Sequence, residues 1–384
     1  MTDRLLVQGG QIVTPSGVVE GDLLVEGGKI RMLGRVPQEA ASGARSVDAA
    51  GRLVLPGLVD VHVQGAGGCD ILSDDPDDVA RVRRNLASFG TTSFLATTAI
   101  DVTTGDQPHV RHVLREAAAP RRGARLLGIH LEGPFVSIEK RGMIEERFIC
   151  APDGDRYAWV KELCGGRLRM MTIAPELPGA LEIIADLTAS GIVASLGHSD
   201  ATYDETVRGI EAGISHVTHI GNAMRSMHHR EPGAFGAALM SEVLSAQVIA
   251  DGIHLHPQMM SWIIRLKGLE NCAIITDGIG AMGMPDGTYS YGGLTYAVND
   301  GAARYLDGTL IGTAITQLQM VRRVIGITGL PLHDTVAMAS LVPVRILGVE
   351  DRLGSLEPDK EADFLICGRD LNVEAVFIGA EQVA

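Results

Sequence analysis

Cysteine is scarce and unpatterned in this chain of 384 residues: five, at Cys69, Cys150, Cys164, Cys272 and Cys367. An odd, dispersed set without a CxxC spacing excludes a disulfide framework and a Cys-ligated zinc site. No uninterrupted apolar run is long enough to span a bilayer, and the opening MTDRLLVQGG lacks the apolar core of a signal peptide. A cytoplasmic protein without membrane contact is expected. Positive charge is in short supply: 33 Lys and Arg against 47 Asp and Glu leave a formal net charge of −14. That balance argues against a nucleic-acid surface, although a local Arg or His can still hold a small anion. No GxGxxG follows the first strand-like run of the middle region, and Gly65-Ala66-Gly67-Gly68 has no P-loop lysine beside it.

What is present is an ordinary globular composition, 46% hydrophobic and 21% charged, in a chain long enough for one large domain and a smaller one. The first fifty residues read as short strands broken by Gly-Gly and Pro-Ser turns, and ADFLICGRD and VEAVFIGAEQVA repeat that style at the far end. A small β-sandwich domain built from both termini, 1–52 plus 350–384, is expected. Between them, over 53–349, eight apolar runs alternate with helix-like stretches: 53–64, 91–98, 125–132, 167–176, 192–199, 216–223, 245–255 and 272–279. Eight such runs predict an α/β fold, a TIM-like (β/α)₈ barrel, ahead of a doubly wound sheet. One of the intervening helices is expected to start at Ser199 or Asp200 and to stop at Gly213.

Chemistry in such a barrel sits where the strands end. The run LLGIHLE ends in Glu132 and is stopped by Gly133-Pro134. A carboxylate at the tip of a buried strand is costly to keep charged without a partner, and a cation is the simplest one. A lone strand-end Glu more often faces solvent. Here, however, other runs end in His62 and Gln64, His198, His219, His254 and Asp277. Glu132, His198 and His219 form a set suited to zinc. Asp277 alone reads as a turn cap; beside a metal-bound water it reads as the group that moves the proton. His130 and His216 fall on the opposite pleat from Glu132 and His219, so packing is their expected role. His109, His112, His256 and His333 are expected on the surface, and His228-His229 is a weak loop candidate.

Read in order, PGLVDVHVQGAGG, HLEGPF, GHSDA, THIGNAM, REPG, ADGIHL, ITDG and GTLIGT resemble the N-acetylglucosamine-6-phosphate deacetylases of the amidohydrolase superfamily. So does the closing VPVRILGVEDRLGSLEPDKEADF, and the resemblance covers nearly the whole chain. It implies a metal-bearing barrel with a small β-sandwich domain, usually dimeric. By position it places the metal on Glu132, His198 and His219 and the acid/base on Asp277. It places substrate contacts on Asn222, Ala223 and His254, with Leu310, Ile311 and Gly312 closing over the N-acyl end. Arg230 is implied to reach the phosphate bound by a neighbouring subunit.

Three positions depart from the pattern. His62-Val63-Gln64 stands where some members carry His-x-His and a second metal, so His62 and Gln64 read as a second-metal or water contact. Gln is the weaker ligand, and one tightly held Zn²⁺ per chain is expected, with Fe²⁺, Co²⁺ or Mn²⁺ as alternatives. Gly142, Met143 and Ile144 stand where the family has a Gly-Ala-His turn, leaving Met143 as a substrate contact without the histidine. Gly221 replaces a bulkier residue and predicts a larger pocket. The reading is metal-assisted hydrolysis of the N-acetyl group of an amino-sugar phosphate, foremost N-acetylglucosamine 6-phosphate. A different N-acyl amino sugar, such as N-acetylgalactosamine 6-phosphate or a biosynthetic intermediate, remains an alternative. So does a non-catalytic sugar-phosphate-binding protein, although binding alone would not need Asp277.

Overall fold

The structure, a computed structural model, describes residues 4–119 and 123–384. The run expected as one strand over 53–64 is cut at Gly57, and its halves serve different sheets. Leu53–Pro56 pairs with Arg4–Thr14 and with Phe364–Cys367 in a sheet made from both ends of the chain. Leu58–Val63 is the first barrel strand, β1, and runs parallel to β2, Thr91–Thr98. The crossing needs glycine, because a Cβ at Gly57 would overlap the side chain of Thr92.

The barrel continues through β3 (Arg125–Glu132), β4 (Leu168–Ile173), β5 (Val193–Leu196), β6 (His216–Val217), β7 (Ser245–Ile249) and β8 (Cys272–Ile275). Each strand pairs in parallel with the next. Beyond β8, Asp277 N donates to His62 O at 2.9 Å and Gln64 N donates to Gly278 O at 2.7 Å, which joins the last strand to the first. Every residue of β1, β2 and β8 is buried, as expected for strands covered on both faces. The eight expected strands are those that form the barrel.

The helix after β5 starts later than expected, at Tyr203, from a capping box made by Thr202 and Glu205, and it stops at Gly213. Ser199 and Asp200 are engaged elsewhere: the Ser199 hydroxyl donates to Glu176, and Asp200 accepts from Arg225 at 2.7 Å. A further sheet follows β8, which the apolar-run pattern did not foretell. Gly287–Tyr291, Leu294–Asn299, Ala302–Tyr305 and Leu310–Thr313 form an antiparallel meander. It buries Tyr291, Tyr296, Val298, Ala303 and Ile311 against Ile279 and Ala281 on the segment leaving β8.

The terminal sheet encloses its own core, with Ile12, Leu23, Val54 and the stacked rings of Phe364 and Phe377 at 4.5 Å. Its other face joins the barrel core through Val13, Leu55, Leu365 and Val376, and one further tie is buried and ionic. Arg125, at the start of β3, donates to Asp363 at 2.6 and 2.9 Å and also pairs with Glu361. Removing one partner of a buried pair strands the others in low dielectric, so Arg125→Ala should cost about 3–5 kcal/mol. The check is the urea unfolding midpoint: a clear fall is expected, and an unchanged midpoint would show that the pair carries no load. Among the described residues no helix is long and apolar enough to cross a membrane.

Candidate metal centre and active site

β5, β6 and β8 are short, and each is followed within two residues by a polar side chain on strained backbone. His198, His219 and Asp277 have φ values of 47°, 25° and 47°, a left-handed conformation that costs a non-glycine residue about 1–3 kcal/mol. Strain of that kind persists only where the surroundings impose it. Here all of these side chains converge, with Glu132 from the end of β3, on one buried cluster. Glu132 Oε1 lies 3.1 Å from His198 Nε2 and 3.0 Å from His219 Nε2, and the two imidazole nitrogens are 3.2 Å apart.

That geometry fits a cation. His198 Nδ1 lies 2.9 Å from the carbonyl oxygen of Lys140, which only accepts, so Nδ1 carries the proton. A neutral His198 then turns a bare Nε2 lone pair toward a carboxylate oxygen and a second imidazole nitrogen. A single proton serves two of these atoms, whereas a divalent cation serves all three. The three candidate ligand atoms lie within 4.8 Å of one another, and a ligating histidine commonly donates its other N–H to a carbonyl in this way.

Around the set stand His62 and Gln64 from the end of β1. His62 Nδ1 faces Gln247 Oε1 at 2.9 Å, and Nε2 points between Asp277 at 3.2 Å and Glu132 at 3.5 Å. Burial pulls the His62 pKa down, but the two carboxylates outweigh it and hold it well above the usual imidazole range. Burial raises the Glu132 carboxyl in turn, and His62, His198 and His219 together bring it well below its ordinary value. Gln64 Nε2 donates to Glu132 Oε2 at 3.3 Å and to Asp277 Oδ1 at 3.2 Å, while its Oε1 accepts from the Tyr291 hydroxyl. The amide oxygen that would serve a second metal is thus already occupied.

The sequence profile of the amidohydrolase family matches residues 53–383. The N-acetylglucosamine-6-phosphate deacetylase of Bacillus subtilis (strain 168) is 35% identical, over 97% of this chain and 95% of its own length. The chain belongs to the amidohydrolase family. The N-acetylgalactosamine-6-phosphate deacetylase of Escherichia coli O157:H7 is 32% identical over 85% of this chain and 86% of its own. A variant of N-acetyl-D-glucosamine-6-phosphate deacetylase from Mycobacterium smegmatis, solved in complex with N-acetyl-D-glucosamine-6-phosphate, superposes with a TM-score of 0.90 at 32% identity over 100% of each chain. Amidohydrolases of this family are metal-dependent, and this chain has a possible three-residue metal site.

The structure of this amidohydrolase distributes the other candidates unevenly. Asn222 sits next to the cluster, its Nδ2 donating to His219 O at 3.1 Å, and Ala223 O accepts from Ser199 N at 3.1 Å. The strand Leu310–Thr313 lies along the segment after β8: Thr313 N donates to Asp277 O at 2.9 Å, and a Cβ at Gly312 would overlap that oxygen. His254 Nδ1 is held by Asp251 at 2.6 Å. Met143 packs against the meander, and Ile144 is buried with Val136 and Phe148. A cavity beside Glu132 and Gln64 is lined by Met143, Ile144 and Tyr291. Arg230 is exposed in its loop and bonded to His229 at 2.8 Å.

Three expectations need correction. His109 is buried rather than on the surface, its Nε2 donating to Ala99 O at 3.0 Å, since the helix starting at Pro108 turns it inward. The position at Gly221 gives no simple gain of space: a Cβ there would meet Leu255 at 3.1 Å, and its φ of 89° disfavours a bulky residue. His216 bonds Ser245, as its expected packing role implies, but His130 does not point away from the site. Two residues before Glu132 it shares that face of β3, and its ring meets the His62 ring edge-on at 4.7 Å while Nε2 faces the Thr172 hydroxyl at 2.9 Å. Gln247, Asp251 and Tyr291 were not foreseen. The ADGIHL motif contained Asp251 three residues before His254, a spacing that could have flagged it; a Gln inside β7 and a Tyr in the meander carry no such signal.

Proposed function

We infer that the chain hydrolyses the N-acetyl group of N-acetylglucosamine 6-phosphate to glucosamine 6-phosphate and acetate, at a metal held by Glu132, His198 and His219. The observation that carries the reading is the convergence of Glu132 Oε1 with two histidine Nε2 atoms, with the Asp277 carboxylate bridged to that set by His62 and Gln64. When bound there, a divalent cation, Zn²⁺ by its ligand chemistry, activates a water and polarises the amide carbonyl. Asp277 takes the proton as the water oxygen attacks the carbonyl carbon. It gives that proton to the amine nitrogen as the C–N bond breaks. Gln64 and His62 hold the Asp277 carboxylate in place for both transfers. Ile144 offers no hydrogen bond to the developing oxyanion, so this chain's own donors for it must come from elsewhere in the site.

Asn222, Ala223 and His254 contact the sugar phosphate in this reading, and Leu310, Ile311, Gly312 and Met143 surround its acyl end. Arg230, exposed on its own chain, serves the phosphate bound by a second copy in a homodimer. Exposed Met227, Met240, Val243, Trp262 and Leu266 on neighbouring segments support such a contact. A sugar phosphate does not cross a bilayer unaided, which favours a cytoplasmic setting. The likeness to a named N-acetylgalactosamine-6-phosphate deacetylase supports the 4-epimer as a second reading.

A panel of N-acetylglucosamine, N-acetylgalactosamine and their 6-phosphates tests the substrate. Highest kcat/KM for N-acetylglucosamine 6-phosphate is expected; preference for an unphosphorylated sugar would overturn the reading. Loss of a charge-assisted contact worth about 1.5–3 kcal/mol predicts that Arg230→Ala raises KM for the phosphate ester by roughly tenfold or more. The unphosphorylated sugar should show almost no change. An equal effect on both would remove Arg230 from the phosphate site.

A further inference from the structure

The meander after β8 does more than cover the barrel mouth. Its first strand, Gly287–Tyr291, is exposed along most of its length and plunges inward only at Tyr291, whose side chain is buried. The Tyr291 hydroxyl donates to Gln64 Oε1. The other end of the same amide is fully used, one Nε2 proton for Glu132 Oε2 at 3.3 Å and one for Asp277 Oδ1 at 3.2 Å.

Gln64 is therefore a neutral group that touches both a candidate metal ligand and the proton-transfer carboxylate. Its usefulness depends on which way the amide faces. With the amide reversed, Oε1 would confront two carboxylates, three acceptors in one buried place. Without the phenol, Oε1 would lose the donor that holds the amide in this orientation. The cavity alongside, lined by Leu72, Met143, Ile144 and Phe148, is about 20 Å³, close to the space of a single water. Tyr291 is itself well anchored. It packs with Ile279 and Ile311, and the adjoining turn is tied to the loop after β3 by Arg147, which donates to Gly292 O at 3.2 Å. Burial and the nearby carboxylates hold the Tyr291 phenol well above its ordinary pKa, so it stays a donor.

We propose that Tyr291 is a positioning residue of the active site: it fixes the orientation of the Gln64 amide, and through Gln64 it sets the Asp277 carboxylate relative to Glu132. It touches no reacting atom. The proposal rests on Asp277 being the proton carrier, and its test separates the two claims.

Tyr291→Phe keeps the ring and its packing and removes only the hydroxyl. Loss of one buried hydrogen bond that acts on the proton carrier predicts a kcat about tenfold lower, with KM for N-acetylglucosamine 6-phosphate within about twofold. Metal content should not change. The deciding readout is the double-mutant cycle with Gln64→Ala. If Tyr291 acts through Gln64, adding Tyr291→Phe to Gln64→Ala lowers kcat no further. If the two losses multiply, or if Tyr291→Phe alone turns over normally, the proposal fails. A crystal structure of Tyr291→Phe, as purified, gives a readout independent of any substrate. Displaced Gln64 and Asp277 side chains are expected, and side chains superposing on the wild type would overturn the proposal. A wild-type protein inactive on every sugar of the panel would instead refute the deacetylase reading, and the crystal comparison would still decide the role of Tyr291.

Discussion

Asp277→Asn should leave fold, metal and substrate binding in place and lower kcat by about 10²–10⁴-fold, the usual contribution of a positioned acid/base. The substitution is close to isosteric. Its remaining oxygen still accepts from Gln64 Nε2, now at 3.2 Å from Asp277 Oδ1, and its backbone still donates to His62 O at 2.9 Å. What it loses is the ability to take up a proton and release it. Steady-state kinetics with elemental analysis and calorimetric binding check this together. Near-normal turnover would reduce Asp277 to the turn cap that its place before Gly278 also permits, and the base would have to be sought elsewhere.

Removing any one of Glu132, His198 or His219 should empty the site. A trio whose ligand atoms lie within 4.8 Å of one another has no spare donor, and Gln64, the nearest neutral candidate, has its amide oxygen occupied by Tyr291. Each alanine variant is expected to fall from about one metal per chain to a small fraction of that, with turnover lost in parallel. Glu132→Ala has a second consequence. It leaves the Gln64 amide and the His62 ring facing one carboxylate instead of two, so it should also be the least stable of the three variants in thermal unfolding. Two equivalents of metal, persisting after loss of any one of these residues, would contradict a single site.

The barrel was legible because a covered parallel strand is apolar throughout, and eight such runs stand out between amphipathic helices. Its tips were legible for the converse reason: a carboxylate or imidazole ending a buried run is conspicuous. What escaped was set by contacts across space. Gly57 divides one apolar run between two sheets because Thr92 leaves no room for a side chain there. Ser199 and Asp200 are good helix caps by type, but Glu176 and Arg225 claim them and Thr202 starts the helix. The meander reads weakly because its first two strands are mostly exposed and bury few residues each. Gln247 and Tyr291 matter through what they hold, the His62 ring and the Gln64 amide, and nothing in their own neighbourhood in the sequence announces it.

The most direct measurement of the central claim is acetate release from N-acetylglucosamine 6-phosphate as metal is removed and restored. Protein stripped by a chelator should release no acetate. Titration with Zn²⁺ should restore release in proportion to bound metal and reach a plateau at about one equivalent per chain, with one glucosamine 6-phosphate formed for each acetate. Full activity in metal-free protein, or a plateau that requires two equivalents, would contradict the account.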